Sequence, residues 1–261
     1  MKQAMIFAAG LGTRLKPLTD TMPKALVRVG DTPLLGHVIM KLKAAGYERI
    51  VINVHHFAQQ IVDYIAKNRC FDLDIRISDE TGGLLETGGG IRKALPLFDP
   101  RFPILIHNVD ILSDLDFNEL VPAHEPDALL VVSSRQTKRY LLFDDSKLRE
   151  GSPSGMYILN GWTNIETGEV KSPYKELQLT NLNQLAFSGI HIIGPNLYSL
   201  FQEMPDRFGI MDFYLQWCAE HPIYGYCQED LKLMDVGKLD TLHEAEQFLK
   251  EYATNITTKY K

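Results

Sequence analysis

Apolar positions recur along this chain with two different periods. Ala4-Met5-Ile6-Phe7 is a short unbroken apolar run and reads as a buried strand. From Pro33 to Ala45 the apolar residues fall at helical spacing, and the pattern stops at Gly46, a residue suited to ending a helix in the left-handed conformation. Arg49–Val54 is a β-branched strand, Phe57–Asn68 an amphipathic helix and Leu73–Ser78 an alternating strand. A helix over Gly90–Leu97 and buried strands over Pro103–Ile106 and Ala128–Ser133 follow. This β-α-β-α-β order predicts an α/β fold: a central, mainly parallel mixed sheet with helices on both faces and right-handed crossovers.

The pattern weakens between Tyr140 and Lys171. Tyr140–Phe143 and Gly155–Leu159 alternate with turns rich in Gly, Asn and Asp, which predicts a small antiparallel extension. Leu185–Ile193 is a strand, Pro195–Met204 and Gly209–His221 are helices, and Pro222–Gln228 is a strand. Leu239–Ala253 is a strongly amphipathic helix, and the polar residues 254–261 read as a frayed tail. One domain over 1–253 is expected, in which 140–193 forms an insert.

Composition narrows the possibilities. The 261 residues carry a net charge of -6, which argues against nonspecific nucleic-acid binding. No apolar run approaches the length of a membrane span, and the N-terminal apolar residues run straight into Arg14 with no cleavage context. Three scattered cysteines without a CxxC pair suggest reduced thiols in a cytoplasm and no zinc site.

The chemistry concentrates in Ala8–Leu26, AAGLGTRLKPLTDTMPKAL. Gly10 and Gly12 let the backbone turn at the end of the first strand and present N–H groups; Thr13 adds a hydroxyl, and Arg14, Lys16 and Lys24 add charge. Such a loop suits phosphate, and ligands in open α/β sheets bind outside the carboxyl ends of strands. It is not a P-loop, because no glycine-Lys-Ser/Thr occurs at that spacing. Nor is it the dinucleotide fingerprint, because Leu15 holds the third glycine position.

GxGTRxxPxT…PK resembles the signature of the sugar-1-phosphate nucleotidyltransferases, which join a sugar 1-phosphate to a nucleoside triphosphate and release pyrophosphate. The resemblance implies a Rossmann-like domain. It places the triphosphate on Ala9, Gly10, Leu11, Gly12 and Thr13, and gives catalytic roles to Arg14, against charge on the leaving pyrophosphate, and Lys24, between the phosphates being joined. Asp79–Ala94 (DETGGLLETGGGIRKA) has too many glycines for a helix or strand interior and reads as a loop leading into the next helix. The family meets the nucleobase and sugar here, so Thr87, Gly88 and Gly89 become nucleotide-binding candidates. LLETGGGIRKALP resembles the N-acetylmuramic acid 1-phosphate uridylyltransferases in particular.

Asn108 and Asp110 match an Asn-Gly-Asp family pattern in which Val109 replaces the glycine. Phe187-Ser188-Gly189-Ile190 resembles the segment near the bound sugar, so Asn108 and Gly189 are sugar-binding candidates. Asp235-Val236-Gly237 before the last helix matches a second family pattern, and Asp110 and Asp235 are the expected Mg²⁺ ligands. His191 reads as structural, because the reaction needs no base: a phosphate monoester has a second pKa of about 6 and is already dianionic. The difficulty is anion attacking polyanion, answered by cations, positioning and a hard divalent ion. The expected partners are UTP and N-acetylmuramic acid 1-phosphate. The absence of a Glu-Lys-Pro segment weakens mannose and glucose readings. Mannose-1-phosphate guanylyltransferase and a non-catalytic nucleotide-sugar-binding domain are the alternatives.

Overall fold

A computed structural model describes residues 1–120, 127–145, 156–228 and 230–259, with side chains to residue 251. In chain order the elements are β1 (Lys2–Phe7), a hairpin of β2 (Arg28–Val29) and β3 (Thr32–Pro33), α1 (Leu34–Ala44), β4 (Tyr47–Val54), α2 (Ala58–Lys67), β5 (Asp74–Asp79), α3 (Glu86–Ala94), β6 (Ile104–Asn108) and β7 (Ile111–Ser113). Then come β8 (Ala128–Ser133), β9 (Arg139–Asp144), β10 (Met156–Asn164), β11 (Glu169–Lys171), β12 (Asn183–Ile193), α4 (Ile210–Trp217), β13 (Ile223–Cys227), β14 (Leu233–Asp235) and α5 (Thr241–Lys259).

The single expected domain packs as two units. The first comprises 1–84, 107–120 and 232–261, the second 85–106 and 121–231. Because the chain crosses between them several times, no stretch of sequence marks the division.

In the first unit β4 pairs in parallel with both β1 and β5. Ala4, Met5 and Ile6 lie opposite Ile50, Val51 and Ile52, all buried, which is why both strands read as continuous apolar runs. α1 ends as its sequence predicts: Gly46 takes φ +80 and donates to the carbonyl of Lys43 at 3.0 Å. β7 and β14 form a separate antiparallel pair.

The second unit carries the order β11-β10-β13-β8-β12, with β9 pairing both β10 and β12. Only β13–β8 is parallel among these pairs. The fold is α/β as expected, with an antiparallel part that reaches beyond the 140–171 hairpins to β8 and β12. Segment 146–155, which includes the start of the Gly155–Leu159 expectation, lies outside the described residues. The 254–261 tail is corrected up to Lys259: α5 continues that far, and no Gly or Pro interrupts Thr254–Lys259.

Burial holds two histidines neutral. His191 on β12 shares a hydrogen bond of 2.5 Å with the Tyr214 hydroxyl of α4, and burial lowers its pKa to about 3. The unfolded chain protonates this histidine near 6.5, so below that pH the unfolded state binds more protons and stability falls as pH falls. His191→Gln keeps a partner for Tyr214 and removes the titration. Denaturation between pH 6.5 and 5 should then show a pH slope shallower by up to about 1.4 kcal/mol per pH unit. An unchanged slope would show that His191 is not held neutral.

Candidate active site

The first loop is set by the end of β4. Asn53 lies opposite Phe7 in the register, and its buried side-chain oxygen accepts from the N–H of Ala8 at 2.7 Å and of Ala9 at 3.3 Å. Its amide donates to the buried carboxylate of Glu80 at 2.8 Å. The N–H of Ala9, expected to face nucleotide, is therefore already engaged. The next four donors, on Gly10, Leu11, Gly12 and Thr13, have no protein partner among the described residues. They form a run of available N–H groups at the carboxyl end of β1.

Gly12 fixes the turn. Its φ is +63, and a Cβ there would stand 2.9 Å from Cβ of Lys24 and 3.0 Å from Cγ2 of Thr19. Its carbonyl accepts from the Thr19 hydroxyl and the N–H of Leu15, both at 2.9 Å. The glycine thus permits both the left-handed backbone and the close return of the chain that brings Lys24 under the loop. Lys24 sits in a one-turn 3₁₀ helix after Pro23 and is buried, with Nζ bonded to Asp110 Oδ2.

Asp110 stands in the turn between β6 and β7. The preceding Val109 is buried, donates to the carbonyl of Phe7 at 3.2 Å and is not among the residues with positive φ. No glycine is needed there, which answers the departure from Asn-Gly-Asp. The half-buried Asn108 accepts at its carbonyl from Nδ1 of His107 at 2.7 Å. His107 is itself fully buried. Burial first, then the charge of Lys41, lowers its pKa to about 4, so it supports the strand end as a neutral ring. Lys41 donates to the carbonyl and hydroxyl of Ser113 at 2.5 and 3.1 Å, and burial lowers its own pKa to about 8.

The two aspartates, far apart in sequence, come together here. β14 pairs with β7 so that Asp235 lies opposite Ile111, and the N–H of Val236 donates to the Asp110 carbonyl at 2.8 Å. Asp235 Oδ2 is 4.0 Å from Arg14 Nη2. A Cβ on Gly237 would fall 2.7 Å from both Arg14 Nη2 and Asp235 Oδ1, which gives the glycine of Asp-Val-Gly its reason. Arg14, Lys24, Asn108, Asp110 and Asp235 all belong to the first unit.

The donor set suits one kind of metal. Two aspartates are hard oxygen donors of the number Mg²⁺ takes from protein when phosphates complete its shell. Among the described residues no group of three or more His, Cys, Asp or Glu is placed to hold a metal by itself.

Thr87, Gly88, Gly89 and Gly189 belong to the second unit. The expectation that 87–89 form a loop is corrected. They lie within α3, and Gly88, Gly89 and Gly90 are buried there. Packing overrides glycine's poor helix propensity: a Cβ on Gly88 would strike the ring of Phe208, and one on Gly89 would lie 2.5 Å from the carbonyl of Asp206. The N–H groups of Gly88 and Gly89 donate to the Phe208 carbonyl at 2.9 and 3.2 Å, and the Thr87 hydroxyl accepts from Ile210 N–H at 2.9 Å. Gly189 takes φ +81 within β12, between Phe187 and His191 where the β8 register shifts. Asn53, Glu80 and Thr19 escaped the sequence reading. One signal lay in Asn53 itself, a polar residue near the end of an otherwise apolar run.

Comparison with known proteins identifies the family. Residues 3–140 match the nucleotidyl transferase family model. An N-acetylmuramate alpha-1-phosphate uridylyltransferase of Caulobacter vibrioides is 31% identical over 259 residues, covering 96% of this chain and 98% of that one. A protein of the same description from Neisseria meningitidis is 46% identical over 115 residues, 44% of this chain and 49% of that one. The solved structure of a UDP-glucose pyrophosphorylase complexed with UDP-glucose aligns with TM-score 0.70 at 18% identity, covering 96% of this chain and 99% of that one, a likeness of fold. By its family-model match and its near full-length relative, this chain belongs to the nucleotidyl transferase family.

Proposed function

We propose that the protein is a sugar-1-phosphate uridylyltransferase that joins UTP to N-acetylmuramic acid 1-phosphate. The observation that carries this reading is the match along almost the entire chain to a relative of that description, on a chain that pairs Arg14 with Asp235 and Lys24 with Asp110.

An oxygen of the sugar phosphate attacks the α-phosphorus of UTP; a new P–O bond forms as the bond to pyrophosphate breaks. The nucleophile is anionic at neutral pH, so the protein's task is to hold two anions together. The unpaired N–H groups from Gly10 to Thr13 face the triphosphate. Arg14 balances the charge that accumulates on the departing pyrophosphate. Lys24 is a short-range cation for the phosphates being joined, and its contact with Asp110 holds the ammonium in place. Asp110 and Asp235 are the residues that would hold Mg²⁺, and the metal, when bound, supplies charge neutralisation on phosphate oxygens. Thr87 and the first turn of α3 remain nucleotide-side candidates through side chain and surface, since the N–H groups of Gly88 and Gly89 are occupied within the fold. Asn108 and Gly189 remain sugar-side candidates.

Three outcomes follow. Asp110→Asn and Asp235→Asn should each lower kcat by at least about a hundredfold with native circular dichroism, and EDTA should abolish turnover of the parent enzyme. Activity persisting in EDTA would remove the metal from the mechanism. Gly237→Ala should lower kcat by about tenfold or more, because a Cβ within 2.7 Å of Arg14 and Asp235 displaces one or both. Full activity there would mean that their contact does not matter for rate. For the substrates, kcat/KM is compared for UTP and GTP, each with N-acetylmuramic acid 1-phosphate and mannose 1-phosphate. A preference for GTP with mannose 1-phosphate overturns the assignment.

A further inference from the structure

The second unit holds a cleft of about 320 Å³. The strand registers explain its floor. Lys171 lies opposite Trp162, Trp162 opposite Leu141, and Leu141 opposite Leu185, so these four side chains run across β11, β10, β9 and β12 on one sheet face. Two residues along, on the same face, are Arg139 of β9 and Phe187 of β12. Met211, Asp212 and Leu215 of α4 form a further wall, and Arg135, just after β8, stands at the edge.

The charge of this cleft runs against that of the chain. Among the described residues Arg135, Arg139 and Lys171 line it with a single carboxylate, Asp212, in a protein of net charge -6. Lys171 is already spoken for: its ammonium is 3.9 Å from Asp212 and 5.4 Å from the Trp162 ring centroid. The two arginines are not. Neither makes an ion pair among the described residues, and Arg135 is oriented by one hydrogen bond, from Nη2 to the Phe187 carbonyl at 3.0 Å. A guanidinium has five donors, so four remain for an anion. Their fork matches a carboxylate in two parallel hydrogen bonds. Trp162 and Phe187 offer half-buried ring faces beside them, and Leu141 and Leu215 are buried below. The cleft therefore fits a ring-shaped, partly apolar ligand bearing one small anion.

We infer that this cleft recognises the carboxylate-bearing sugar, with Arg135 and Arg139 holding the carboxylate and Trp162 and Phe187 packing on the sugar and its acyl group. The inference rests on the uridylyltransferase reading above and adds to it the residues that distinguish N-acetylmuramic acid from its parent N-acetylglucosamine, which lacks the carboxylate. Cation and aromatic surface occur together here at the size of a small-molecule site.

The test uses the full chain. The ratio of kcat/KM for N-acetylmuramic acid 1-phosphate to that for N-acetylglucosamine 1-phosphate is measured in the parent, Arg135→Gln and Arg139→Gln. The ratio should fall by about tenfold in each variant, since a charge-assisted hydrogen bond to one substrate alone is removed. A direct reading comes from Trp162 fluorescence titrated with free N-acetylmuramic acid, N-acetylglucosamine and inorganic phosphate, with Trp162→Phe assigning the signal between the two tryptophans of the chain. Saturation by N-acetylmuramic acid only, weakened in both arginine variants, supports the inference. Equal response to both sugars, or competition by phosphate at the same concentration, overturns it in favour of a general sugar or phosphate site. A parent enzyme that prefers mannose 1-phosphate fails the uridylyltransferase reading before any variant is made. A parent that prefers N-acetylmuramic acid 1-phosphate, with a ratio unmoved in both variants, fails the role of the cleft alone.

Discussion

The ion pair between Lys24 and Asp110 is the constraint on which the arrangement of the first unit's candidate site depends. Both side chains are largely withdrawn from water, with 10% and 18% of their surface exposed. At that burial, removing one partner leaves a charge stranded, at a cost of about 3–5 kcal/mol. The pair joins the loop after β1 to the turn after β6, and the Asp110 carbonyl in turn receives Val236 N–H, which brings Asp235 and the Arg14 contact into the same cluster. One ion pair and one backbone hydrogen bond, both at Asp110, thus join three separate pieces of chain. The contact holds the carboxylate and the ammonium in fixed positions, the kind of preorganisation that stabilises developing charge.

Behind that pair lies a second device, a buried amide and a buried carboxylate. Asn53 and Glu80 are buried polar side chains at the ends of neighbouring parallel strands, and each satisfies the other. The Asn53 oxygen then takes the first two N–H groups of the loop, Ala8 and Ala9. This division matters: the donors nearest the sheet are consumed in building the turn, and those of Gly10 to Thr13 have no protein acceptor among the described residues. A fully satisfied buried network is rigid, and a rigid base is what lets free donors hold a fixed geometry.

What could be read from the sequence follows the range of the forces involved. Strands β1 and β4, helix α1 and its glycine stop are local, set by periodicity and backbone preference, and they stand where the pattern puts them. Arg14, Lys24, Asp110 and Asp235 were readable through the motifs that carry them, although spacing alone would have left each aspartate an ordinary turn residue. Asn53 and Glu80 have no motif, because their value lies in the register between two strands. Thr87–Gly89 misled for a physical reason. Three consecutive glycines argue against a helix on propensity, yet Phe208 and the Asp206 carbonyl, distant in sequence, occupy the space their side chains would need. The twofold division of the chain was hidden because each unit is assembled from separate segments.

The two units also divide the kinds of interaction they present. The first offers strong, directional charges and free N–H groups in a cluster suited to phosphates, which every nucleotide sugar shares. The second offers a cleft of aromatic and aliphatic side chains with two guanidinium groups that make no ion pair among the described residues, a surface suited to a ligand that is partly apolar and anionic. Discrimination of this second kind rests on groups that one ligand satisfies and another leaves without a partner. The cost of such a mismatch grows with how deeply the group is buried, and Arg135 and Arg139 are exposed. In the role proposed for them, selectivity would depend on what the ligand itself covers: a sugar packed against Trp162 and Phe187 would shield the guanidinium groups and strengthen their hold on its own carboxylate.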